Sequence, residues 1–86
     1  MKDLEKTIKA FGNVSRLRIL QYLKKHKTAS VSDIAEGAAC SYKATSKHLS
    51  ILYRVDIVDR TQRSYEMHYY LAQKQRPIAS ALLKQI

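Results

Sequence analysis

The sequence predicts a mainly α-helical fold with one small β-hairpin. Three observations carry that expectation. Only two glycines and one proline interrupt the 86 residues, so breakers are few and no Gly/Pro-rich linker exists. Apolar residues recur at helical spacing up to about residue 54. From about residue 57 to 71 the apolar period falls to two, and it then returns to the helical value.

The first helix is predicted over residues 2–12. Leu4, Ile8 and Phe11 stand at i, i+4 and i+7, with Lys2, Glu5, Lys6 and Lys9 opposite. Gly12 suits a left-handed position after that helix, and Asn13 suits the N-cap of the next. The second helix, about Val14 to Lys25, carries Leu17, Ile19, Leu20, Tyr22 and Leu23 as its stripe. Arg16 and Arg18 stand on the outer side of its first turn, and Lys24, Lys25 and Lys27 near its C-terminal end, where the helix dipole favours cations.

Thr28-Ala29-Ser30 reads as a short link. Ser30-Val31-Ser32-Asp33 matches a capping box that opens a short helix with Val31, Ile34, Ala35 and Ala38 inward. Gly37-Ala38-Ala39-Cys40 is small enough for a tight turn between packed helices. Ser41 is the next N-cap. The helix from Tyr42 to about Arg54 buries Thr45, Leu49 and Leu52 with help from Ile51. Its opposite face shows Tyr42, Lys43, Ser46, Lys47 and Ser50, with no acid between Ser41 and Val55. Wet helix faces normally mix charge signs.

Val58-Asp59-Arg60-Thr61 and Glu66–Leu71 read as strands, the second with Met67, Tyr69 and Leu71 on one face. Gln62-Arg63-Ser64-Tyr65 is the tip; without Asn-Gly or Gly, a loop wider than two residues stays open. Pro77 fits the first position of a last helix whose apolar face is Ile78, Ala79, Leu82, Leu83 and Ile86.

The whole, residues 1–86, is expected to be one domain. A helix-turn-helix spans about 31–54 and a wing about 57–71, which together make a winged helix-turn-helix with helices at both termini. Sixteen Lys and Arg against seven Asp and Glu leave a net charge of +9, which favours a polyanionic partner. The second helix of such a unit enters the major groove N-terminus first. Double-stranded DNA is therefore the expected partner. The expected contacts are Arg16, Arg18, Ser41, Tyr42, Lys43, Ser46, Lys47 and His48, with Arg60, Gln62 and Arg63 of the wing reaching a phosphate or the minor groove. The alternative is a protein-interaction module whose basic face meets an acidic partner.

The remaining features narrow the class. There is no nucleophile–base pair, paired carboxylate constellation or phosphate-cradling glycine loop, so no enzyme and no cofactor are expected. No apolar run reaches the ~20 residues of a membrane span, and residues 1–6 alternate charge, unlike a secretory signal. A cytoplasmic protein with no membrane partner is expected. The one cysteine, Cys40, is read as a buried structural thiol in preference to a redox switch. His48 is read as packing at the inner edge of its helix and bonding to backbone or phosphate, and His26 and His68 as exposed. Tyr65, Tyr69 and Tyr70 could stack on bases, but packing is the preferred role for Tyr69.

Residues 11–71 resemble the ArsR-type winged helix-turn-helix repressors. The resemblance rests on Phe11-Gly12-Asn13-Val14-Ser15-Arg16-Leu17-Arg18-Ile19-Leu20, on Val31-Ser32-Asp33-Ile34-Ala35, and above all on Ser46-Lys47-His48-Leu49-Ser50-Ile51-Leu52. It implies a homodimeric repressor on a palindromic operator, with the terminal helices as interface. Leu4, Ile8, Phe11, Ile78, Leu82, Leu83 and Ile86 are the faces that reading needs. Ser30-Val31-Ser32 stands where metal-sensing members have Cys-Val-Cys, and residues 72–86 hold no His, Asp, Glu or Cys. Hydroxyls do not replace thiolates for soft metals, so no metal site is expected. Val55-Asp56 and Ser64 stand where the family often has Ala-Gly and a wing glycine.

Overall fold

A computed structural model describes residues 2–86, with only the backbone described at Lys2. The order is α1 (Lys2–Phe11), α2 (Val14–His26), β1 (Thr28–Ser30), α3 (Val31–Gly37), α4 (Tyr42–Arg54), β2 (Val58–Arg63), β3 (Glu66–Leu71) and α5 (Pro77–Leu83). This is the winged helix-turn-helix that the sequence predicts, with one added strand.

Three polar side chains start three of the helices. Asn13 Oδ1 accepts from the Arg16 amide at 3.0 Å, Ser30 Oγ from Asp33 at 3.2 Å, and Ser41 Oγ from Ala44 at 3.1 Å. Each such cap contributes about 1 kcal/mol. Apolar side chains of α2, α3, α4 and the wing root then close on one core. Ile19, Leu20, Leu23, Ile34, Leu49, Leu52, Ile57 and Val58 are essentially free of solvent, and Tyr69 packs against them from β3.

Four expectations are corrected. The link at Thr28–Ser30 is a strand: it pairs antiparallel with β3, giving a sheet of order β1-β3-β2. The free edge of β3 supplies backbone partners that a three-residue segment cannot announce by its own pattern. The hairpin loop is not wide. Arg63 pairs with Glu66, so Ser64 and Tyr65 alone make the turn. Ser64, the first residue of the turn, has φ 53°, a left-handed value where glycine is usual. Asp56, before β2, has φ 62°. Thus both positions where the family favours glycine keep the left-handed backbone without it. Gly12, in contrast, is not left-handed: no glycine among the described residues has positive φ, and the α1–α2 corner closes through the Gly12 amide on Lys9 O at 3.1 Å.

Gly37 has a different reason to be glycine. A Cβ there would overlap Cδ1 and Cε1 of the Tyr22 ring, which is itself stacked on His26 with centroids 4.1 Å apart. The missing side chain lets α3 lie directly on α2. The corner that follows carries Ala39 at φ 56°.

The fourth correction concerns the terminal helices. Phe11 and Leu83, expected at an interface, belong to this chain's own core, because α1 packs on both α2 and α5. Leu4 and Ile8 are exposed, at 42% and 50%, and Ile78, Leu82 and Ile86 are half-buried. Pro77 begins α5 as expected. At its other end Lys24 Nζ donates to Leu83 O at 2.7 Å and to Ile86 O at 2.6 Å. A lysine read as serving its own helix thus satisfies the last carbonyls of another.

Candidate nucleic-acid interface

The wet face of α4 follows from its buried one. Thr45, Leu49 and Leu52 point into the core, so residues near 100° to 180° away must face out. Tyr42, Lys43, Ser46, Lys47 and Ser50 line one shallow open surface. Tyr42 is 60% exposed. Ser41 stands at the N-terminal end of this face with its hydroxyl engaged in the cap. The face offers two ammonium groups, three hydroxyls and no carboxylate, and at its start the helix N–H donors that the Ser41 cap leaves unpaired. The neighbouring helix α3 differs: its exposed side includes Asp33 and Glu36.

The wing is set by its register. Val58 pairs with Leu71, Arg60 with Tyr69 and Gln62 with Met67, so these six residues share the core-facing side of the hairpin. Asp59, Thr61 and Arg63 pair with Tyr70, His68 and Glu66 on the other side. Arg60 and Arg63 therefore leave the hairpin in opposite directions. The Arg60 guanidinium lies 3.9 Å from the centroid of Tyr53 on α4, and its Nη1 donates to Tyr69 Oη at 3.4 Å. A cation over an aromatic face is attracted by the ring quadrupole, so Arg60 ties the wing to α4. Gln62 Nε2 donates to Ser64 O at 3.1 Å and staples the turn. The tip itself is Tyr65, fully exposed at 100%. The sequence offers Tyr65 as a stacking residue but not among the expected contacts, although its place at the hairpin tip signals such exposure.

Two predicted contacts are not brought to this surface. Arg16 is half-buried and turned inward. Its Nε donates to Ala10 O at 2.8 Å, its Nη2 to Lys9 O at 3.1 Å and its Nη1 to His48 Nδ1 at 3.1 Å. It satisfies the end of α1 and joins it to α4. Arg18 is exposed but lines a groove of α2 and α3 with Gln21, Tyr22, Lys25, His26 and Gly37, away from α4 and the wing.

His48 packs at the inner edge of α4, as expected, but its partner is a side chain. A guanidinium only donates, so Nδ1 accepts and the ring is the neutral tautomer with its proton on Nε2. Burial, then the charges of Arg16 and Lys47, hold its pKa below the ordinary value. His26 is exposed as expected; His68 is half-buried, its Nε2 3.8 Å from Glu66. Cys40 is half-buried, not buried, with Sγ 3.5 Å from Ala38 O. Among the described residues no three His, Cys, Asp or Glu side chains are grouped to hold a metal, and no helix is long and apolar enough to cross a membrane.

Residues 11–61 match the model of a family described as "Helix-turn-helix domain". No curated protein sequence matches. Among solved structures, reduced HlyU from Vibrio cholerae is similar at TM-score 0.80 and 25% identity, over 98% of this chain and 84% of that one. NolR from Sinorhizobium fredii is similar at TM-score 0.82 and 24% identity, over 98% and 80%. A homodimeric winged helix-turn-helix DNA-binding domain from Mycobacterium bovis, described as a possible ArsR-family transcriptional regulator, is similar at TM-score 0.82 and 21% identity, over 98% and 74%. The ArsR-type resemblance read from residues 11–71 agrees with these matches.

Proposed function

The chain belongs to the helix-turn-helix domain family, and from that premise we propose that it is a sequence-specific, homodimeric transcriptional repressor that binds a palindromic DNA operator. One observation carries the reading. The exposed face of α4 presents Tyr42, Lys43, Ser46 and Lys47 without a carboxylate, beside a wing that Arg60 fastens to the same helix. Lys43 and Lys47 can donate to guanine O6 and N7, Ser46 can read either base type, and Tyr42 can meet a phosphate or a thymine methyl. Arg63 and Tyr65 reach the adjacent backbone or minor groove. Arg16 and His48 position α4 from behind instead of touching DNA.

The dimer half of the proposal rests on Leu4 and Ile8, exposed on a helix that packs against α5. With Ile78, Leu82 and Ile86 they form the faces that a second copy would cover. Two copies related by a two-fold axis read two half-sites in opposite orientation, hence the palindrome. Ser30-Val31-Ser32 offers no thiolate, so the repressor is not a metal sensor of the usual family type.

Selection of duplexes from a random pool, followed by titration at several salt concentrations, tests the reading. An enriched inverted repeat and a steep negative salt slope are expected. No enrichment, together with a stoichiometric acidic protein partner, would favour the interaction-module alternative. Ile8→Glu should turn the dimer into a monomer in sedimentation equilibrium; an unchanged mass would remove α1 from the interface.

A further inference from the structure

A cleft lies between α1 and α4, beside the C-terminal half of α4's open face, since Arg54 follows Ser50 by four residues and Lys47 by seven. It holds about 380 Å³ and is lined by Lys6, Lys9, Ala10, Arg16, Ile51, Arg54 and Val55. Its walls are cationic and its floor is apolar. Lys9 is met by Glu5 at 3.3 Å, but among the described residues Lys6, Arg16 and Arg54 make no salt bridge. Like charges set around one cleft repel, and the arrangement is relieved by an anion entering it. The apolar floor adds a second requirement. Ile51 and Val55 are only partly buried, so an apolar body laid on them leaves water.

We propose that this cleft binds a small amphipathic anion, a carboxylate or sulfonate on an apolar body, and that Arg16 passes its occupancy to α4. Arg16 carries five N–H donors, and three go to Ala10 O, Lys9 O and His48 Nδ1. The others remain for an acid group in the cleft. A bidentate anion draws the guanidinium toward itself, and the bond that moves with least backbone cost is the one to His48. His48 stands one residue from Lys47 and two from Ser46, so the cleft and the open face of α4 are joined through one side chain. This second half rests on the DNA-binding reading; the site itself does not.

The test uses the full chain and octanoate as probe, with octanol and sulfate as its two separated halves. The readouts are amide resonances of Ala10, Ile51 and Val55 and the ring resonances of His48. Octanoate should shift the amides saturably and displace the His48 ring signals in parallel. Octanol and sulfate at equal concentration should do neither. Lys6→Glu with Arg54→Glu, both on exposed side chains, should weaken octanoate at least tenfold with an unchanged melting temperature. Sulfate acting as strongly as octanoate, or a variant that binds as the parent does, overturns the site. Amide shifts without any His48 response overturn the coupling. If duplex DNA shifts these amides and octanoate does not, the cleft is part of a phosphate-binding surface and the proposal fails. Octanoate binding in a protein that selects no duplex sinks the repressor reading and leaves the anion site in place.

Discussion

Replacing Gly37 by alanine tests how α3 is seated. Gly37 is the last residue of α3 and has a negative φ, so alanine is conformationally welcome there. In a helix that exchange stabilises by about 0.5–1 kcal/mol. The surroundings oppose it: the new Cβ would lie 3.1 Å from Cζ of Tyr22 and nearer still to Cδ1 and Cε1. The ring cannot swing away freely, because it is stacked on His26 and packed against the core. Forcing a group into a packed site costs about 1–3 kcal/mol. The net expectation is destabilisation by about 1–2 kcal/mol, a fall in melting temperature of roughly 5–10 °C for a domain of this size. With Tyr22→Ala in place the overlap is gone and the sign should reverse, to a gain of about 0.5–1 kcal/mol. Thermal unfolding of the four proteins, followed by circular dichroism, measures the coupling. A neutral Gly37→Ala, or an equal loss in both backgrounds, would show that the close approach to Tyr22 is not what requires glycine.

Further predictions concern the reading face, the wing and His48. Lys43→Ala and Lys47→Ala should each cost about 1–3 kcal/mol in specific DNA binding, whereas Arg63→Ala should weaken all sequences alike; mobility-shift titrations on selected and random duplexes separate the two, and the reverse pattern would misplace the reading helix. Ser64→Gly should raise stability by about 0.5–1 kcal/mol, since the turn already holds Ser64 at φ 53°; a lower denaturation midpoint would refute the turn geometry. His48 is held below its ordinary pKa near 6.5, first by burial and then by Arg16 and Lys47. The unfolded chain therefore takes up the proton first, and the stability that His48 contributes is complete above about pH 6.5 and lost as pH falls through the lower folded value. Urea midpoints at pH 8 and 5.5 should fall further for the parent than for His48→Gln, and equal falls would dismiss the Arg16–His48 bond.

The helix-turn-helix was legible in the sequence because its signals are local. Ser30 and Ser41 each stand three residues before the amide they cap, and the acid-free face of α4 shows in consecutive letters. What was not legible depends on distant partners. Thr28–Ser30 is a strand only because β3 passes beside it. Arg16 looks like any arginine on a polar helix face until folding brings the Lys9 and Ala10 carbonyls and His48 around it. Phe11 and Leu83 have the right period for an outer apolar face, but periodicity does not say whether the covering surface comes from the same chain.

Ser30 belongs to two elements at once. It is the last residue of β1, paired with His68 of the wing, and its hydroxyl caps α3. With Arg60 resting on Tyr53, the wing is anchored near its middle to both helices of the helix-turn-helix, at His68 and at Arg60. The two parts that would touch a duplex thus form a gauge of set span, without a hinge between them. A reader of that kind has no means of stretching to a target whose contact points are spaced differently. The adjustment falls to the nucleic acid, so base steps lying between the contacts, untouched by any side chain, would be chosen for how readily they bend.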